Sequence, residues 1–157
     1  MRRKDRAVTD HGQIKTILNT IKTCRLAMVD GGKPYVIPLS HGFTLDGGKL
    51  TVYFHSAKEG RKIDILKANN AVCFEMSIEG KPMFKGENAC EYAYYFSSVI
   101  GFGNAEFIDD FDGKNTALKL ITKHQSGVET EFTEAQTDTI CVIKIETTDF
   151  TAKAKQH

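Results

Sequence analysis

The sequence has 157 residues, and the whole chain (1–157) is predicted to form a single domain whose core needs no disulfide or metal support. Its 21 basic and 20 acidic residues leave a formal net charge of +1, which excludes a general attraction to nucleic acid or to an anionic membrane. Any anion-binding site must therefore be local.

The cysteines of the chain lie far apart and form no C-x-x-C pair, which disfavours a structural zinc site and a redox dithiol. Reduced thiols are typical of cytoplasmic proteins. No run approaches the roughly 20 apolar residues that a membrane span requires. We therefore predict a cytoplasmic protein with no metal site and no membrane partner. The four cysteines are Cys24, Cys73, Cys90 and Cys141.

The first predicted element is a helix that begins after Asp10. Asp10 can cap the helix, and Gln13 stands at the third position that a capping box requires. Apolar residues then recur at i, i+3, i+4 and i+7, which is the spacing of one helix face. These residues are Ile14, Ile17, Leu18 and Ile21.

Three antiparallel strands are predicted to follow the first helix, joined by glycine-containing turns. Pro38 lies inside the middle strand and cannot donate to a ladder, so that strand is predicted to be an edge or to be broken. The predicted strands are Arg25–Asp30, Tyr35–Thr44 and Lys49–His55.

The stretch Lys49–Asn70 changes from the periodicity of a strand to that of a helix. Residues 49–55 alternate between apolar and polar side chains, and helical spacing follows at Ile63 and Leu66. Gly60 permits a tight entry into this helix. The change in periodicity places a strand-to-helix turn between these segments.

Cations crowd this turn, where the first turn of a helix normally favours acidic residues. Lys58, Arg61 and Lys62 lie there with one acid, Glu59, and with the hydroxyl of Ser56. Free backbone N–H groups together with two or three cations form a good phosphate site. The alternative interpretation is a solvated basic turn, and the residues alone leave both open.

The second half of the chain is predicted to contain more strands and one helix. Gly101 and Gly103 indicate bulges, barrel corners or a close approach of another backbone. The tail from Thr151 is predicted to be frayed. Strands are predicted at Ala71–Ile78, Met83–Tyr95, Ser97–Asp109 and Thr139–Glu146, with a helix capped by Asp110 or Asp112 before the last of them.

Six or seven short strands with three helices indicate a mainly β protein, a small antiparallel barrel with helices outside. Such a barrel is too narrow to enclose a large ligand. A cofactor would lie on its flank, and a groove between two copies of the barrel is a common way to enclose one.

Three segments of the sequence resemble a known family, the pyridoxamine-5′-phosphate-oxidase-like FMN-binding split barrels, and within it the nitroimidazole-resistance branch. The H-S-A-x-x-G-x-K spacing in the second segment is the most specific match. The resemblance spans nearly the whole chain, and its segments are Arg25–Ser40, Tyr53–Lys62 and Tyr95–Phe107.

The resemblance implies a homodimer that holds FMN at its interface and acts on a small-molecule substrate. The flavin ring is expected against Val36, Ile37, Pro38, Leu39 and Ser40. The phosphate is expected near Ser56, Ala57, Lys58, Gly60, Arg61 and Lys62. The partner subunit is expected to reach the same flavin through Ser97, Ser98, Val99 and Ile100.

The sequence departs from the vitamin-pathway oxidases of this family. It has no tryptophan, and its K-A-K-Q-H ending lacks their Arg- and His-containing substrate-binding tail. Oxidation of pyridoxamine phosphate is therefore not expected. Related split barrels also bind haem or a deazaflavin, so the fold alone does not determine the cofactor, although the Lys-rich turn favours FMN over haem.

Two histidines are candidates for a role beside the flavin. His55 ends the central strand beside the basic turn and could contact the phosphate, the ribityl chain or a substrate. His41 could stand near the flavin ring, and the resemblance does not say which of the two corresponds to the reactive histidine of the nitroimidazole-resistance branch. His11, His124 and His157 are interpreted as surface or helix-end residues without metal-ligand spacing.

Three functions are compatible with these features. The leading hypothesis is a flavin-dependent oxidoreductase that reduces a nitroaromatic, in which the isoalloxazine carries the electron chemistry. The second is a non-catalytic flavin-binding or storage module, since no residue is compelled to act as an acid or base. The third is a haem protein that uses His55 or His41 as its ligand.

Overall fold

A computed structural model describes residues 3–84, 86 and 88–155. The helices are α1 (His11–Thr20), α2 (Arg61–Ala68), α3 (Phe111–Ser126) and α4 (Glu134–Thr137), with short 3₁₀ turns at Lys4–Arg6 and Ala89–Glu91. The strands are β1 (Ala7–Val8), β2 (Thr23–Asp30), β3 (Lys33–Ser40), β4 (Gly42–Asp46), β5 (Lys49–Ser56), β6 (Ala71–Met83), β7 (Ala93–Ile108), β8 (Cys141–Thr147) and β9 (Phe150–Lys155).

The strands form one antiparallel sheet in the order β3-β2-β6-β7-β8-β5-β4, with β9 paired to β7 and β1 paired to β9. The long strand β7 joins the two halves, because its first part pairs with β6 and β9 and its last part with β8. The sheet curls back on itself until β3 lies beside β5, but no ladder joins these two strands. The prediction of a mainly β split antiparallel barrel is therefore confirmed.

The barrel interior holds a core of large apolar side chains. Helix α1 closes one end of this core through its predicted apolar face, and Gln13 N donates to the Asp10 side chain at 2.8 Å, as the capping prediction requires. Helix α3 covers the outer side of the strands β4, β5 and β8. The core includes Leu18, Leu26, Leu50, Phe54, Phe74, Met76, Ile143 and Ile145, all without significant exposure.

Gly42 sets the distance between α3 and the sheet. A Cβ atom at this position would lie 2.5 Å from the backbone nitrogen of Ile121 in α3, closer than any side chain allows. The absence of a side chain at Gly42 therefore lets the helix backbone rest directly on β4.

The predicted strand Tyr35–Thr44 is two strands, so this prediction was wrong in its extent. The chain breaks at His41, whose side chain turns under α3 while β4 pairs with β5. The structure confirms that β3 is an edge strand, as Pro38 predicted, because β2 is its only ladder partner among the described residues.

The region Met83–Tyr95 was predicted as strand but is interrupted. Strand β6 ends at Met83, a 3₁₀ turn capped by the Asn88 side chain follows, and β7 begins at Ala93. A polar side chain that bonds its own backbone offers an alternative to ladder pairing. Positions 85 and 87 of this prediction lie outside the described residues.

The tail from Thr151 is ordered as part of β9, so the prediction of a frayed end was wrong for residues 151–155. Strand β9 pairs with the free edge of β7 and in turn receives β1. That edge of β7 supplies ladder partners for β9, and Phe150, Ala152 and Ala154 pack on the core. With β9 and the divided strands, the described part of the chain has nine strands.

Gly101 and Gly103 lie at the predicted barrel corner, where β7 changes its partner from β9 to β8, and they do not form bulges. The β6–β7 register is regular opposite both glycines. A Cβ atom at Gly101 would lie 2.3 Å from the ring of Phe74, and one at Gly103 would lie 2.8 Å from Ile145. The close approach is therefore made by core side chains of the same sheet.

Helix α3 begins at the cap that the sequence offered, since Gly113 N donates to the Asp110 side chain at 2.7 Å. It is the longest helix of the described residues, and none of the helices described is long and apolar enough to cross a membrane.

Candidate functional site

The predicted phosphate turn lies where β5 ends and α2 begins, beside the edge strand β3. Gly60 is the residue before α2, and its φ of +125° belongs to the region that favours glycine. No side chain caps α2 in the described structure, and the Gly60 carbonyl accepts from Ile63 N and Asp64 N. Within the described residues, the N–H groups of Arg61 and Lys62 therefore remain available to an anion.

Ser56 supplies a buried hydroxyl at this turn. Its side chain is only 7% exposed, and its Oγ has no hydrogen-bond partner among the described residues. A buried polar group without a partner costs free energy and calls for an explanation. A ligand bound at the turn would provide the missing partner, so this residue fits the predicted phosphate site.

The three cations of the turn are placed differently. Lys58 is exposed and Lys62 is half-buried, and neither forms an ion pair within the described residues. Arg61 pairs with Asp30 at 2.9 Å, and its guanidinium lies 4.4 Å from the centre of the Tyr35 ring. The two lysines therefore remain available for an anion, whereas the arginine is engaged with β2 and β3.

His55 lies next to Ser56 and keeps a solvent-exposed surface. Partial burial lowers the pKa of its imidazole, and the nearby Lys62 charge lowers it further. The ring is therefore mainly neutral at pH 7 and offers one donor and one acceptor nitrogen. It lies in the electrostatic field of the cation that is predicted to bind the phosphate.

His41 is placed in the interior and not at the turn. It has no exposed surface, neither ring nitrogen has a hydrogen-bond partner among the described residues, and its ring lies 4.7 Å from that of His124. Burial lowers the pKa of His41 to about 3, with smaller effects from His124 and Lys22. Of the two candidates, His55 is the one with surface that a ligand can reach.

Strand β3 presents its predicted ring contacts on two faces. Val36, Pro38 and Ser40 are exposed on the outside of the sheet, and Val36 is 54% exposed. Ile37 and Leu39 face the core. The backbone groups of β3 that point away from β2 pair with no other strand in the described part of the chain.

The segment Ser97–Ile100 is not brought to the phosphate turn within one copy of the chain. It lies in the part of β7 that pairs with β6 and β9, and the strands β2 and β6 separate it from β3. Val99 is buried in the core, Ser97 and Ser98 are half-buried, and Ile100 is 39% exposed.

An apolar outer sheet face was missed in the sequence. One cross-strand row on it consists of Val36, Ala27, Cys73 and Phe102, and Ile100 lies in the next row. Phe102 is 52% exposed. The signal was present in β2 and β7, where apolar residues occupy both faces and not only alternate positions.

Other features of the surface lie away from the turn. A cavity of about 590 Å³ between α3 and residues 129–131 contains none of the predicted site residues. Cys90 is exposed, as befits its place in a 3₁₀ turn. Within residues 3–84, 86 and 88–155, no group of three His, Cys, Asp or Glu side chains could hold a metal ion. His11 is the exposed first residue of α1, and His124 lies half-buried in the last turn of α3 with its Nε2 2.9 Å from the Ile21 carbonyl oxygen. His157 lies outside the described residues.

Comparison with known proteins identifies the family. The family model described as pyridoxamine 5′-phosphate oxidase matches residues 10–154. The chain belongs to this family. The resemblance inferred from the three sequence segments is thus confirmed. No curated protein matches the chain.

Several solved structures share the fold of this family member. A protein from Bacteroides thetaiotaomicron VPI-5482, named as a candidate 5-nitroimidazole antibiotic resistance protein, is 29% identical, with a TM-score of 0.81 over 96% of this chain and 90% of its own. A flavocytochrome from Azotobacter vinelandii is 20% identical, with a TM-score of 0.80 over 100% of this chain and 72% of its own.

A third structure, an FAD and heme binding protein from Mycobacterium smegmatis, is 18% identical, with a TM-score of 0.77 over 97% of this chain and 74% of its own. At such low identities the second and third likenesses show the fold alone. Their names show that this fold occurs in a flavocytochrome and in a protein that binds both FAD and haem.

Proposed function

We propose that the protein binds FMN at a homodimer interface and acts as a flavin-dependent oxidoreductase on a small nitroaromatic substrate. The observation that carries the proposal is the turn between β5 and α2. It combines uncapped helix N–H groups, the orphaned Ser56 hydroxyl and the unpaired Lys62. This set suits a phosphate monoester better than a haem propionate or a neutral ligand.

In this proposal each part of the site has one task. Ser56, Lys58 and Lys62 bind the phosphate, with Ala57 and Gly60 providing close backbone approach. The edge of β3 from Val36 to Ser40 holds the ring. The chemistry that bound FMN supplies is electron transfer to an acceptor. His55, neutral at pH 7, donates or accepts a hydrogen bond beside the phosphate and adds no charge.

A homodimer is supported by the outer sheet face. The side chains of Val36, Pro38 and Ser40 at one end of this face and those of Ser98 and Ile100 at the other point to the same side of the sheet. A second copy packed on this face about a two-fold axis brings β7 of one copy over β3 of the other. Each site then receives residues from both copies.

The apolar character of the face supports the same arrangement. Val36 and Phe102 are each more than half exposed, although a monomer normally keeps such side chains scattered. The Arg25–Glu75 pair, at 3.0 Å, lies in the neighbouring row. We expect an interface of obligate size, roughly 2,000 Å² or more.

The substrate class is proposed by analogy with the Bacteroides protein, which is 29% identical and is named for 5-nitroimidazole resistance. We also propose a cytoplasmic location, because all four cysteines are free thiols.

The absorption spectrum of the purified protein tests the cofactor. Two bands at flavin wavelengths support the proposal, a Soret band indicates haem instead, and a protein that shows neither and takes up no added FMN contradicts it. Anaerobic reduction by NADH or NADPH, followed by mixing with a nitroimidazole, then tests the activity. Reduced flavin that transfers no electrons to any acceptor indicates a storage module.

A further inference from the structure

Arg61 joins three elements at the mouth of the split in the barrel. Its Nε and a terminal nitrogen each lie 2.9 Å from Asp30 Oδ2, at the end of β2. Its guanidinium carbon lies 4.4 Å from the centre of the Tyr35 ring in β3. Arg61 itself is the first residue of α2. We call this contact of Asp30, Tyr35 and Arg61 the Arg61 clasp.

The clasp lies at one end of the strand that is proposed to hold the flavin ring. Strand β3 is held by its ladder with β2 and by Ile37 and Leu39 in the core, but no ladder joins it to β5. The Arg61 clasp is the contact that ties its first half to the start of α2. At its other end the chain turns inward at the buried His41 and continues into β4. The residues Val36 to Ser40 therefore lie between two fixed points of the chain, the clasp at Tyr35 and the buried His41.

The clasp also engages the Arg61 guanidinium, so that it is not available to the proposed phosphate site. The guanidinium is already paired with a carboxylate and stacked on an aromatic ring, which are the two contacts that it makes best. Lys58 and Lys62 have no such partners within the described residues. The charge that meets a phosphate at this turn therefore comes from the lysines.

We propose that Arg61 is a positioning residue, which sets the distance between β3 and the start of α2 and so between the ring site and the phosphate site. Its effect on flavin binding passes through β3 and does not depend on the phosphate. This inference rests on the proposed function, because it takes β3 as the ring site.

The expected effect is small because the pair is exposed. The side chains of Arg61 and Asp30 are 61% and 40% exposed, and exposed ion pairs and cation–π contacts are each weak. Arg61→Met is expected to weaken the binding of FMN and riboflavin by the same factor, about two- to fivefold.

The test compares Arg61→Met, Asp30→Asn and the double variant, with the dissociation constants of FMN and riboflavin measured from the quenching of flavin fluorescence. Each single variant is expected to weaken the binding of FMN and riboflavin by the same factor. The double variant is expected to be no worse than Arg61→Met, because loss of the guanidinium already removes the contact with Asp30. Tyr35→Phe keeps the ring and serves as the matched control, with binding unchanged.

A phosphate role for Arg61 predicts the opposite pattern. Asp30→Asn would then free the guanidinium and tighten the binding of FMN. Arg61→Met would weaken the binding of FMN and leave the binding of riboflavin unaffected. Either result overturns the proposal, and so do additive losses in the double variant.

The clasp can be tested separately from flavin binding. If the native protein binds neither flavin, the proposed function fails, and amide hydrogen exchange of the flavin-free protein then decides the inference. Arg61→Met and Asp30→Asn are both expected to speed exchange in β3, and the double variant is expected to match Arg61→Met. Unchanged exchange in β3 would overturn the clasp.

Discussion

Replacement of Lys62 by methionine tests the phosphate site directly. Lys62 is half-buried at the start of α2, forms no ion pair within the described residues, and lies close enough to His55 to lower the pKa of that ring. Methionine keeps most of the length and apolar contact of lysine and removes its charge. The substitution therefore isolates the ammonium group.

The expected loss follows from one charge-assisted hydrogen bond. Such a bond contributes roughly 1.5–3 kcal/mol, so Lys62→Met should weaken FMN binding on the order of ten- to a hundredfold. Riboflavin has no phosphate and should bind the native protein poorly. Its affinity should be almost unaffected by Lys62→Met, because the deleted cation has no partner in that ligand.

The assay is a titration of each flavin into the native and variant proteins, followed by fluorescence. Lys67→Met is a matched control, since Lys67 lies in the last turn of the same helix and is exposed. It should leave both affinities unchanged. Equal losses of FMN and riboflavin with Lys62→Met would show that Lys62 does not act through the phosphate, and no loss of either would show that Lys62 is a solvated surface residue.

Three further predictions concern the dimer, the core and acid stability. Phe102→Glu should convert the dimer to monomers and release FMN with it, as seen by sedimentation; a flavin-loaded monomer would refute the shared site. Gly42→Ala should lower the unfolding free energy by about 1–3 kcal/mol in chemical denaturation, because the new Cβ meets the Ile121 backbone; an unchanged midpoint would refute that contact. Since the pKa of His41 falls from about 6.5 unfolded to about 3 folded, the unfolded chain binds more protons between these values, and stability should decline as the pH falls through this window. His41→Leu should flatten that decline by a few kcal/mol, and parallel pH profiles would refute the assignment.

Much of the fold could be predicted because local periodicity and tertiary burial agree. The apolar spacing of α1 and its Asp10 cap, the hairpins at Gly31-Gly32 and Gly47-Gly48, and the edge position of β3 each rest on short-range chemistry. Pro38 was informative because a missing donor constrains a strand wherever it lies.

The errors arose where distant partners decide the structure. The apolar run through His41 looks like a single strand, and only the position of α3 shows why the chain turns inward there. The segment that forms β9 alternates apolar and polar residues, but two of its three apolar residues are alanine, which has a low strand propensity. It is held because β7 has a free edge, a fact that no local pattern records.

In the candidate site, too, some features could be predicted from the sequence and others could not. The cations and glycine of the turn could be found from residue types alone, because an excess of positive charge at a helix start is unusual in any fold. The engagement of Arg61 with Asp30 could not, since the two residues lie 31 positions apart in the sequence. The unpartnered state of the Ser56 hydroxyl likewise depends on what surrounds it.

The topology gives a reason for the proposed dimer if Val36–Ser40 and Ser97–Ile100 contact one flavin, as the family resemblance implies. In one copy, β3 and β7 are the first and fourth strands of the sequence β3-β2-β6-β7, so their exposed side chains lie at opposite ends of the same face. A single copy cannot fold one end onto the other without breaking the intervening ladders. A second copy, related by a two-fold axis through the middle of the face, brings β7 of one copy to β3 of the other without breaking any ladder. Two equivalent grooves result. If FMN binds in these grooves, its affinity must depend on protein concentration below the dimer dissociation constant, whereas a flavin held within one copy would show no such dependence.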